Sequence, residues 1–548
     1  MSKQSVAQTP SPAIPAERYD AVIIGAGING MFQLIRLREL GLSVRVFDAA
    51  GDVGGTWYWN RYPGCRFDSE SYTYIHSFSP ELLAEWDWSE HFSAQPDTLR
   101  YCNYVADKFA LRKDMQFNSR VTSAVFMEAD GEWELDTEDG RRVRCRYFIT
   151  AVGPLSAPVM PNINGMSSFE GESYHTGLWP HTAVNFAGKR VAVIGTGASG
   201  VQLIQTIAKT VRHLTVFQRR PNWCSPLNNA PIDLEEMNRI RARYPEIFAK
   251  CRESEGGFMH IADPRKAAEV SSAEREVFFE RLYKTPGFAI WLSNFYDTFT
   301  DQAANDLITD FVARKIRERV RDPAVAAMLV PKDHGFGTRR VPMESGYYEA
   351  YNQDNVKLVS ILETPIECIT PKGLRVGGTD YEFDMIIYAT GFDAMLGSYN
   401  RMDIRGVGGQ SLKDKWAEGP RTLLGVQMAG FPNLMMVIGP HTGASFCNMP
   451  RCGEENVDFV TGLIRFTEEK GYTRVHPTAA AEVAWTDHVH QVAEKMLITK
   501  TDSWFTGINR NIEGRQRRMV LLYAGGASRY RRRCDEVVAG GYAEFQFS

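Results

Sequence analysis

Several features that mark membrane, secreted or nucleic-acid-binding proteins are missing from this sequence. It contains no run of about 18 consecutive apolar residues, the length that a membrane-spanning helix requires. Residues 1–18 are rich in Ser, Pro and Ala and lack the apolar centre of a signal peptide, so we predict a disordered tail. The formal net charge of −4 argues against nucleic-acid or membrane-surface partners.

Disulfide and metal-binding patterns are missing as well. The nine cysteines are an odd number and include no CxxC pair. This usage fits a reducing, cytoplasmic compartment and argues against a disulfide scaffold or a dithiol redox enzyme. Cys447 and Cys452, with His441 nearby, do not have the spacing of a standard metal site, so we expect no metal.

What the sequence does have is enough chain for more than one hydrophobic core. Its 548 residues, 44% of them apolar and 23% charged, have the balance of an ordinary globular protein. A single core stops growing beyond about 250–300 residues. We therefore predict two or three domains.

An α/β unit typical of dinucleotide binding begins near the end of the predicted tail. The apolar run from Ala21 to Ile24 predicts a buried strand, and Gly25, Gly27 and Gly30 follow it in the pattern GxGxxG. Apolar residues at three- and four-residue spacing then predict a helix with one buried face. The first glycine allows the tight turn, the second lets a pyrophosphate approach the backbone, and the third lets the helix pack on the strand.

An acidic residue completes this first unit. A second predicted strand, residues 43–47, ends at Asp48. The carboxylate can accept hydrogen bonds from ribose hydroxyls, and the helix N-terminus offers unpaired N–H groups to a pyrophosphate. Because strand, glycine loop, helix, strand and acidic residue come in this order, we predict that the first unit binds FAD.

The same unit occurs a second time. Residues 191–194 predict a strand, and a second GxGxxG begins at Gly195 and continues into another predicted helix. The expected pyrophosphate contacts are the residues of this loop and the first helical turn: Thr196, Gly197, Ala198, Ser199 and Gly200.

Arginines take the place of the acidic residue in the second unit. Arg219 and Arg220 follow the next predicted strand, residues 214–217, where Asp48 stands in the first unit. A carboxylate there would repel a 2′-phosphate, whereas a guanidinium binds it through paired, charge-assisted hydrogen bonds. The second unit therefore suits NADPH.

The order of these segments predicts a nested α/β fold: two Rossmann-like dinucleotide-binding domains, one for FAD and one for NADP, with a helical insertion in the NADP domain. The apolar strand 385–388, followed by Ala-Thr-Gly, marks the return to the FAD domain. Charged segments with helical spacing predict the insertion. The predicted boundaries are 1–18 for the tail, 19–150 and 389–548 for the FAD domain, 151–225 and 331–388 for the NADP domain, and 226–330 for the insertion.

A twelve-residue segment just before the second glycine loop resembles a family fingerprint. FEGESYHTGLWP carries the pattern FxGxxxHxxxWP of Baeyer–Villiger monooxygenases at five positions: Phe169, Gly171, His175, Trp179 and Pro180. Flavin-containing N- and S-oxygenases have a similar motif, usually with Tyr or Phe in place of Trp179 and without the proline. The chain is thereby identified as similar to the Baeyer–Villiger family.

Other segments resemble the family in the same order along nearly the whole chain. They are GGTWYWNRYPGCRFDSES from residue 54, PKDHGFGTRRVPME from residue 331, the Ala-Thr-Gly segment and TDSWFTGIN from residue 501. Cys65 and Phe67 depart from the usual GARCD. Arg339 stands where lysine is common, and Arg220 where threonine is frequent, so both of these departures keep or add positive charge.

The resemblance implies an activity and a catalytic pair. Members use FAD, NADPH and O2 to convert ketones to esters or lactones through a flavin peroxide. Arg340 matches the catalytic arginine, whose permanently charged guanidinium would stabilise a developing oxygen anion. Asp68 matches the acidic partner, which would stay ionised beside Arg340 and orient it.

Further roles follow from the same resemblance. Arg339 resembles the residue that contacts the NADP phosphate, and Trp504 resembles a tryptophan that closes over the nicotinamide half. The fingerprint lies at the domain linker, so we expect His175 and Trp179 to couple domain motion to the active site. The expected flavin contacts of the GGTW segment and its neighbourhood are Gly55, Thr56, Trp57 and Tyr74.

Three other functions remain open at this stage. A heteroatom oxygenase acting on amines or sulfides is the nearest, although Trp179, Pro180 and Arg340 favour ketones. A flavin reductase or oxidase that releases hydrogen peroxide is disfavoured by the missing CxxC, and a nucleotide-binding redox sensor would show no turnover. Segments such as PNWCSPL and GFAIWLSNF resemble those of a family member that acts on a bulky cyclic ketone, so the resemblance implies a substrate of that kind. The sequence allows a monomer or a homodimer.

Overall fold

The computed structural model describes residues 16–443 and 447–548. Most of the predicted tail therefore lies outside the described residues. Its predicted end at residue 18 is wrong by two residues, because the first strand, Glu17–Ile24, already begins at Glu17. There Glu17 and Arg18 pair with Val143 and Arg144 of a neighbouring strand.

The first of two large sheets is built from both ends of the chain. Its central strand is Glu17–Ile24, which runs parallel to Val44–Phe47 on one side and to Arg142–Thr150 on the other. In spatial order, the strands of this sheet are Asp403–Arg405, Val121–Met127, Glu132–Thr137, Arg142–Thr150, Glu17–Ile24, Val44–Phe47 and Met115–Gln116, with Leu434–Met436 also paired to Arg142–Thr150.

The second large sheet is entirely parallel within the described residues. In spatial order, its strands are Val356–Ser360, His213–Gln218, Arg190–Ile194, Met385–Tyr388 and Glu172–His175. Smaller antiparallel strands, Ile366–Thr370, Gly373–Val376 and Thr379–Glu382, pack beside it. Parallel sheets of this kind need covering on both faces, and the central strand Arg190–Ile194 is accordingly almost fully buried.

Each large sheet carries one helix directly after its glycine loop. Ile28–Glu39 follows the central strand of the first sheet, and Ala198–Ile207 follows Arg190–Ile194 of the second. The glycine that ends each motif sits where helix and loop touch: a β-carbon on Gly30 would lie 1.8 Å from the carbonyl oxygen of Gly25. The two-Rossmann α/β architecture predicted from the sequence is confirmed.

A set of helices follows the second sheet's strand His213–Gln218. Four of them begin at a side-chain cap: Asp233, Ser271, Asp301 and Asp322 each accept a hydrogen bond from a backbone N–H of the first turn. The helices are Leu234–Ala242, Tyr244–Glu253, Ser272–Lys284, Ala289–Leu292, Gln302–Arg319 and Pro323–Leu329. This is the helical insertion that the charged, amphipathic segments predicted.

The C-terminal part returns to the first sheet. Its long helix Met449–Glu469 packs on Ile28–Glu39, where Gln33 donates a buried hydrogen bond of 3.1 Å to Thr461. Helices Ala479–Glu494 and Ala527–Ala539 follow. Among the described residues, no helix is both long and apolar enough to cross a membrane.

One cysteine pair departs from the expectation of unpaired thiols. Cys447 and Cys452 form a disulfide across the start of helix Met449–Glu469, while seven other cysteines are free. The expectation rested on spacing alone, and the first helical turn brings these two side chains together. His441, which the sequence placed near them, instead engages the carbonyl oxygen of Val520.

Candidate active site

The first candidate site is a cavity of about 500 Å³ at the carboxyl ends of the first sheet's parallel strands. This edge is where α/β sheets bind nucleotides, because the glycine loop and the helix N-terminus open there. Gly30 is not at the surface of the cavity, since it packs against the loop. The predicted residues that line the cavity are Gly25, Gly27, Asp48, Gly55, Thr56, Trp57 and Tyr74.

Asp48 also holds the glycine loop in place. Its Oδ2 accepts a hydrogen bond of 2.6 Å from the N–H of Ala26, and its Oδ1 accepts one of 2.7 Å from Ala50. Burial raises the pKa of Asp48, and these two N–H donors oppose that shift. Each carboxylate oxygen retains a second lone pair, so the side chain can still accept from a ribose hydroxyl.

Two features of this cavity fit a bound dinucleotide. The side-chain oxygens of Asn29 and Asn60 are buried, line the cavity and have no hydrogen-bond partner among the described residues. Gly27 and Gly55 face each other so closely that a β-carbon on Gly55 would lie 2.9 Å from the Gly27 α-carbon. Buried polar atoms without partners are rare, and FAD has hydrogen-bond donors that such oxygens can accept from. Its pyrophosphate is narrow enough to pass close to glycines that have no side chain.

Several lining residues carry no motif and were missed in the sequence. Ser119 and Arg120 reach the cavity because the N–H of Ser119 donates to the carbonyl oxygen of Asp48. Met449 arrives from the start of the long C-terminal helix, and Arg401 from the loop before strand Asp403–Arg405. No local pattern marks these positions, because only the folded chain brings them to the first sheet.

The second candidate site is a cavity of about 540 Å³ at the carboxyl ends of the second sheet. As in the first unit, the last glycine of the motif packs inward: a β-carbon on Gly200 would lie 2.3 Å from the carbonyl oxygen of Gly195. The predicted residues that line the cavity are Thr196, Gly197, Ala198, Ser199, Arg219, Arg220, Arg339, Arg340 and Trp504.

The arginines of this cavity are arranged around one carboxylate. Arg220 and Arg339 each lie 3.0 Å from Oδ2 of Asp333. Arg219 makes no hydrogen bond or ion pair with another described residue, and burial lowers its pKa, as do the neighbouring arginines. The Nε of Arg339 is buried without a partner. Such a cluster fits an anionic ligand with several acceptor oxygens, as a 2′-phosphate is.

Arg340 and Asp68 form an ion pair at the inner side of the second cavity. The Nη2 of Arg340 donates to Oδ2 of Asp68 over 2.8 Å, and the N–H of Met343 donates to the same oxygen over 3.3 Å. Gln202, on the helix after the second glycine loop, donates to Oδ1 over 3.4 Å. The carboxylate is thus held by groups from the second sheet's side of the molecule.

Two opposing effects act on the pKa of Asp68, whereas the resemblance pointed only to the effect of Arg340. Only 3% of its side chain is exposed, against 26% for Arg340. Burial raises the pKa of Asp68, and the Arg340 guanidinium, together with the hydrogen bonds, acts in the opposite direction. Desolvation is the larger effect because the carboxylate has lost nearly all contact with water.

Aromatic rings surround this pair. The guanidinium carbon of Arg340 lies 4.9 Å from the ring centre of Phe288 and 5.6 Å from that of Trp291. On the other side, Phe67 stacks on Tyr74 with ring centres 4.4 Å apart. The apolar walls exclude water, which strengthens the field of the guanidinium on any neighbouring charge.

The fingerprint residues Phe169, Gly171, His175, Trp179 and Pro180 line neither cavity. His175 is buried, and its Nδ1 accepts a hydrogen bond of 3.0 Å from the N–H of Gly177. Burial lowers the pKa of His175 to about 4, so the ring is neutral at pH 7. Its ring centre lies 6.3 Å from that of Phe392. Phe392 and Leu155 line both cavities.

Two glycine-loop cavities with a common wall, the second rich in arginine, define a flavoprotein that binds two dinucleotides. Comparison with known proteins narrows this class. The family described as flavin-binding monooxygenase-like matches residues 19–240. A solved structure of OTEMO in complex with FAD and NADP is 46% identical, with a TM-score of 0.93, and the match covers 97% of this chain and 100% of that one.

Three relatives align along almost the whole chain. The 2-oxo-Delta(3)-4,5,5-trimethylcyclopentenylacetyl-CoA monooxygenase of Pseudomonas putida is 47% identical over 98% of this chain and 99% of its own. A Baeyer–Villiger monooxygenase of Pseudooceanicola batsensis is 40% identical over 98% and 97%. A phenazine N-monooxygenase of Lysobacter antibioticus is 41% identical over 96% of each.

The chain belongs to the Baeyer–Villiger monooxygenases. It is an enzyme that uses FAD and NADPH, as the two nucleotide motifs predicted.

Proposed function

We propose that the protein inserts one oxygen atom of O2 beside the carbonyl carbon of bulky cyclic ketones, giving lactones. The observation that carries this proposal is the Arg340–Asp68 pair, with its 2.8 Å hydrogen bond and its aromatic surroundings. The name of the relative from Pseudomonas putida describes a substituted, ring-shaped oxo compound. That relative supports a bulky ring as substrate.

Arg340 is the proposed catalytic residue. FAD would supply oxygen activation and NADPH the hydride. During insertion, negative charge develops on oxygen, and a fixed guanidinium in a site shielded from water stabilises it without changing its own protonation. Arg340 lines the second cavity and still has exposed surface there, so its charge faces the space where a nicotinamide and a ketone would meet.

Asp68 is the proposed positioning partner. It accepts from Nη2 of the guanidinium, and Nη1 donates to the carbonyl oxygen of Val341, which leaves Nε and the remaining N–H bonds to act on the reacting groups. It also fixes the direction of the guanidinium plane, because Met343 and Gln202 hold the carboxylate from two further sides. A guanidinium held in one orientation can act on the reacting groups without first having to be ordered.

Nitrogen oxidation is the second candidate function. The phenazine N-monooxygenase aligns as fully as the ketone-oxidising relatives, so family membership does not separate the two reactions. What favours ketones is the paired arginine, because an amine lone pair attacks without generating an oxygen anion on the substrate.

Product analysis tests the choice between these functions. The FAD-loaded protein is supplied with NADPH, ¹⁸O2 and either a bicyclic ketone or a phenazine, and products are identified by mass spectrometry. We expect a lactone with one ¹⁸O atom from the ketone and no N-oxide. N-oxide without lactone would assign the second function, and NADPH oxidation with hydrogen peroxide as the only product would contradict both.

Three further features belong to the same proposal. The FAD domain comprises residues 19–150, extended at its start to Glu17 by the first strand, and 389–548; the NADP domain comprises 151–225 and 331–388, and the insertion 226–330. The membership of the two large sheets supports these boundaries. The protein acts as a monomer or homodimer, which light scattering would decide. It resides in a cytoplasm, supported by seven cysteines left unpaired in the described part of the chain.

A further inference from the structure

A C-terminal segment lines the NADPH cavity and adds to it a positively charged residue, Arg510, that belongs to no motif. Residues 502–504 and 508–511 line this cavity alongside the second glycine loop, and Arg510 is among them. The fingerprint, the glycine loop and the GTRR segment are all far from this residue in sequence. Arg510 is half exposed, and its Nη2 lies 3.6 Å from Oδ2 of Asp502.

The segment is fixed at both of its ends. Thr501 donates a buried hydrogen bond of 3.1 Å to Thr338, the residue before Arg339. Asn509 donates over 3.2 Å to the carbonyl oxygen of Phe392, and Arg515 lies 3.1 Å from Asp393. Phe392 lines the cavity and Thr338 directly precedes the lining residue Arg339, so these anchors hold the intervening segment beside the cavity.

The charges around this part of the cavity do not balance. Apart from Arg340, which pairs with Asp68, four arginines (Arg219, Arg220, Arg339 and Arg510) of the described chain lie around two carboxylates, Asp333 and Asp502. Asp502 is also held by Arg518 over 2.8 Å, so its charge is shared. Like charges crowded into one cavity repel one another, and an excess of about two positive charges matches a phosphate monoester, which carries about −1.5 to −2 at pH 7.

Arg510 is also electrostatically close to Arg219, the arginine without an ion pair. Of the charged neighbours that lower the pKa of Arg219, after burial, Arg510 is the strongest. Two guanidinium groups that repel one another across an opening bind an anion between them more tightly than either does alone.

We propose that Arg510 is a further ligand of the 2′-phosphate of NADPH, supplied by the C-terminal segment opposite Arg219. This inference rests on the proposed NADPH site and adds a residue to it. Binding of the phosphate would join the segment to the end of strand His213–Gln218. Trp504, six residues earlier in the same segment, would be fixed by the same contact.

The test measures equilibrium binding to the oxidised, FAD-loaded protein, so that ketone turnover plays no part. Dissociation constants for NADP⁺, NAD⁺, 2′,5′-ADP and 5′-AMP are compared in wild type and Arg510→Ala by calorimetry. We expect NADP⁺ and 2′,5′-ADP to bind about tenfold more weakly to the variant, the loss of one partly exposed charge-assisted hydrogen bond. NAD⁺ and 5′-AMP should bind as before.

Arg517→Ala is the matched control. Arg517 belongs to the same C-terminal region, is mostly exposed and pairs with Glu418 away from the cavity. It should leave all four constants unchanged, and Arg219→Ala should reproduce the phosphate-selective loss. Equal weakening of NADP⁺ and NAD⁺ by Arg510→Ala would assign the residue to folding of the segment and overturn the inference. So would unchanged binding of 2′,5′-ADP.

The proposed reaction and this inference can fail separately. If the protein makes no lactone but Arg510→Ala selectively weakens the binding of 2′,5′-ADP, the role of Arg510 is supported and the proposed ketone oxidation is contradicted. If lactone forms normally and Arg510→Ala changes the four dissociation constants equally or not at all, the proposed reaction is supported and the assignment of Arg510 is contradicted.

Discussion

Arg340 donates a 2.8 Å hydrogen bond to Asp68, a residue 272 positions away in the sequence. Asp68 follows the early strands of the first sheet, whereas Arg340 follows the helical insertion. The pair therefore forms only when the second sheet and its insertion dock against the loop that carries Asp68. The proposed catalytic pair depends on that docking, and the following predictions test the role of each residue.

Removing the guanidinium should abolish product without removing the flavin. In Arg340→Ala we expect the rate of lactone formation to fall by at least about 100-fold, the usual cost of losing one donor to a developing oxygen anion. FAD content should stay the same, because Arg340 does not line the first cavity. Arg340→Lys keeps the charge and should recover part of the rate. Lactone at the wild-type rate from Arg340→Ala would remove the arginine from the mechanism.

Asp68 should act through its charge. Asp68→Asn keeps the shape and an acceptor oxygen, so we expect a smaller loss than in Arg340→Ala. An ionised carboxylate is present only above its pKa, which burial raises. The wild-type rate should therefore decline as the pH falls through that raised pKa, and the decline should be missing in Asp68→Asn. Rates measured at saturating ketone and NADPH show this, and identical pH profiles would contradict the role.

The glycines of the second motif should respond differently to an added methyl group. A β-carbon on Gly197 would meet no protein atom within 4 Å, whereas one on Gly200 would lie 2.3 Å from a backbone oxygen. Gly197→Ala should fold normally and bind NADP⁺ at least tenfold more weakly, since the methyl group occupies the approach of the pyrophosphate. Gly200→Ala should lower the melting temperature. Thermal unfolding and NADP⁺ titration of both variants give the comparison, and normal NADP⁺ binding by Gly197→Ala would be inconsistent with this site.

Two buried histidines should make the fold sensitive to mild acid. Burial lowers the pKa of His175 and of His441 to about 4 in each case. A histidine whose folded-state pKa is depressed stabilises the fold fully above its unfolded pKa of about 6.5, and this stabilisation is lost as the pH falls towards about 4. The free energy of unfolding should therefore drop by up to about 3 kcal/mol per histidine over that range.

Glutamine variants separate the two histidines. His175→Gln keeps an acceptor for the N–H of Gly177 and should flatten the pH dependence by roughly half, with His441→Gln as its counterpart. Denaturant unfolding at pH 4.5 and pH 7 measures the difference. Equal pH dependence in wild type and His175→Gln would mean that the imidazole does not become charged on unfolding.

The sequence predicted the parts of this molecule that local patterns specify. Glycine loops, the alternation of strands and helices, and Asp48 against Arg219 all follow from spacing and charge, and the structure has both cavities where those patterns put them. Arg510, Arg120 and Phe392 could not be found in this way. No motif includes any of these three residues, although Arg510 directly follows TDSWFTGIN, and tertiary packing brings each of them to its cavity.

Asp68 shows a second limit of sequence reasoning. Its partner could be inferred from the resemblance, but the rise in its pKa could not, because burial is a property of the whole fold. The start of the first strand was missed for a related reason. Glu17 and Arg18 look like the end of a polar tail, yet their backbones are paired by a strand from residues 142–150.

Phe392 has a consequence for the order of events in the protein. Its side chain is a wall of both cavities, its carbonyl oxygen accepts from Asn509, and its ring lies against His175. A nucleotide that displaces this ring from one side changes the room available on the other side. Each nucleotide can therefore alter the affinity of the other through this shared wall, to which Leu155 also belongs, and by thermodynamic reciprocity the two effects must be equal in size.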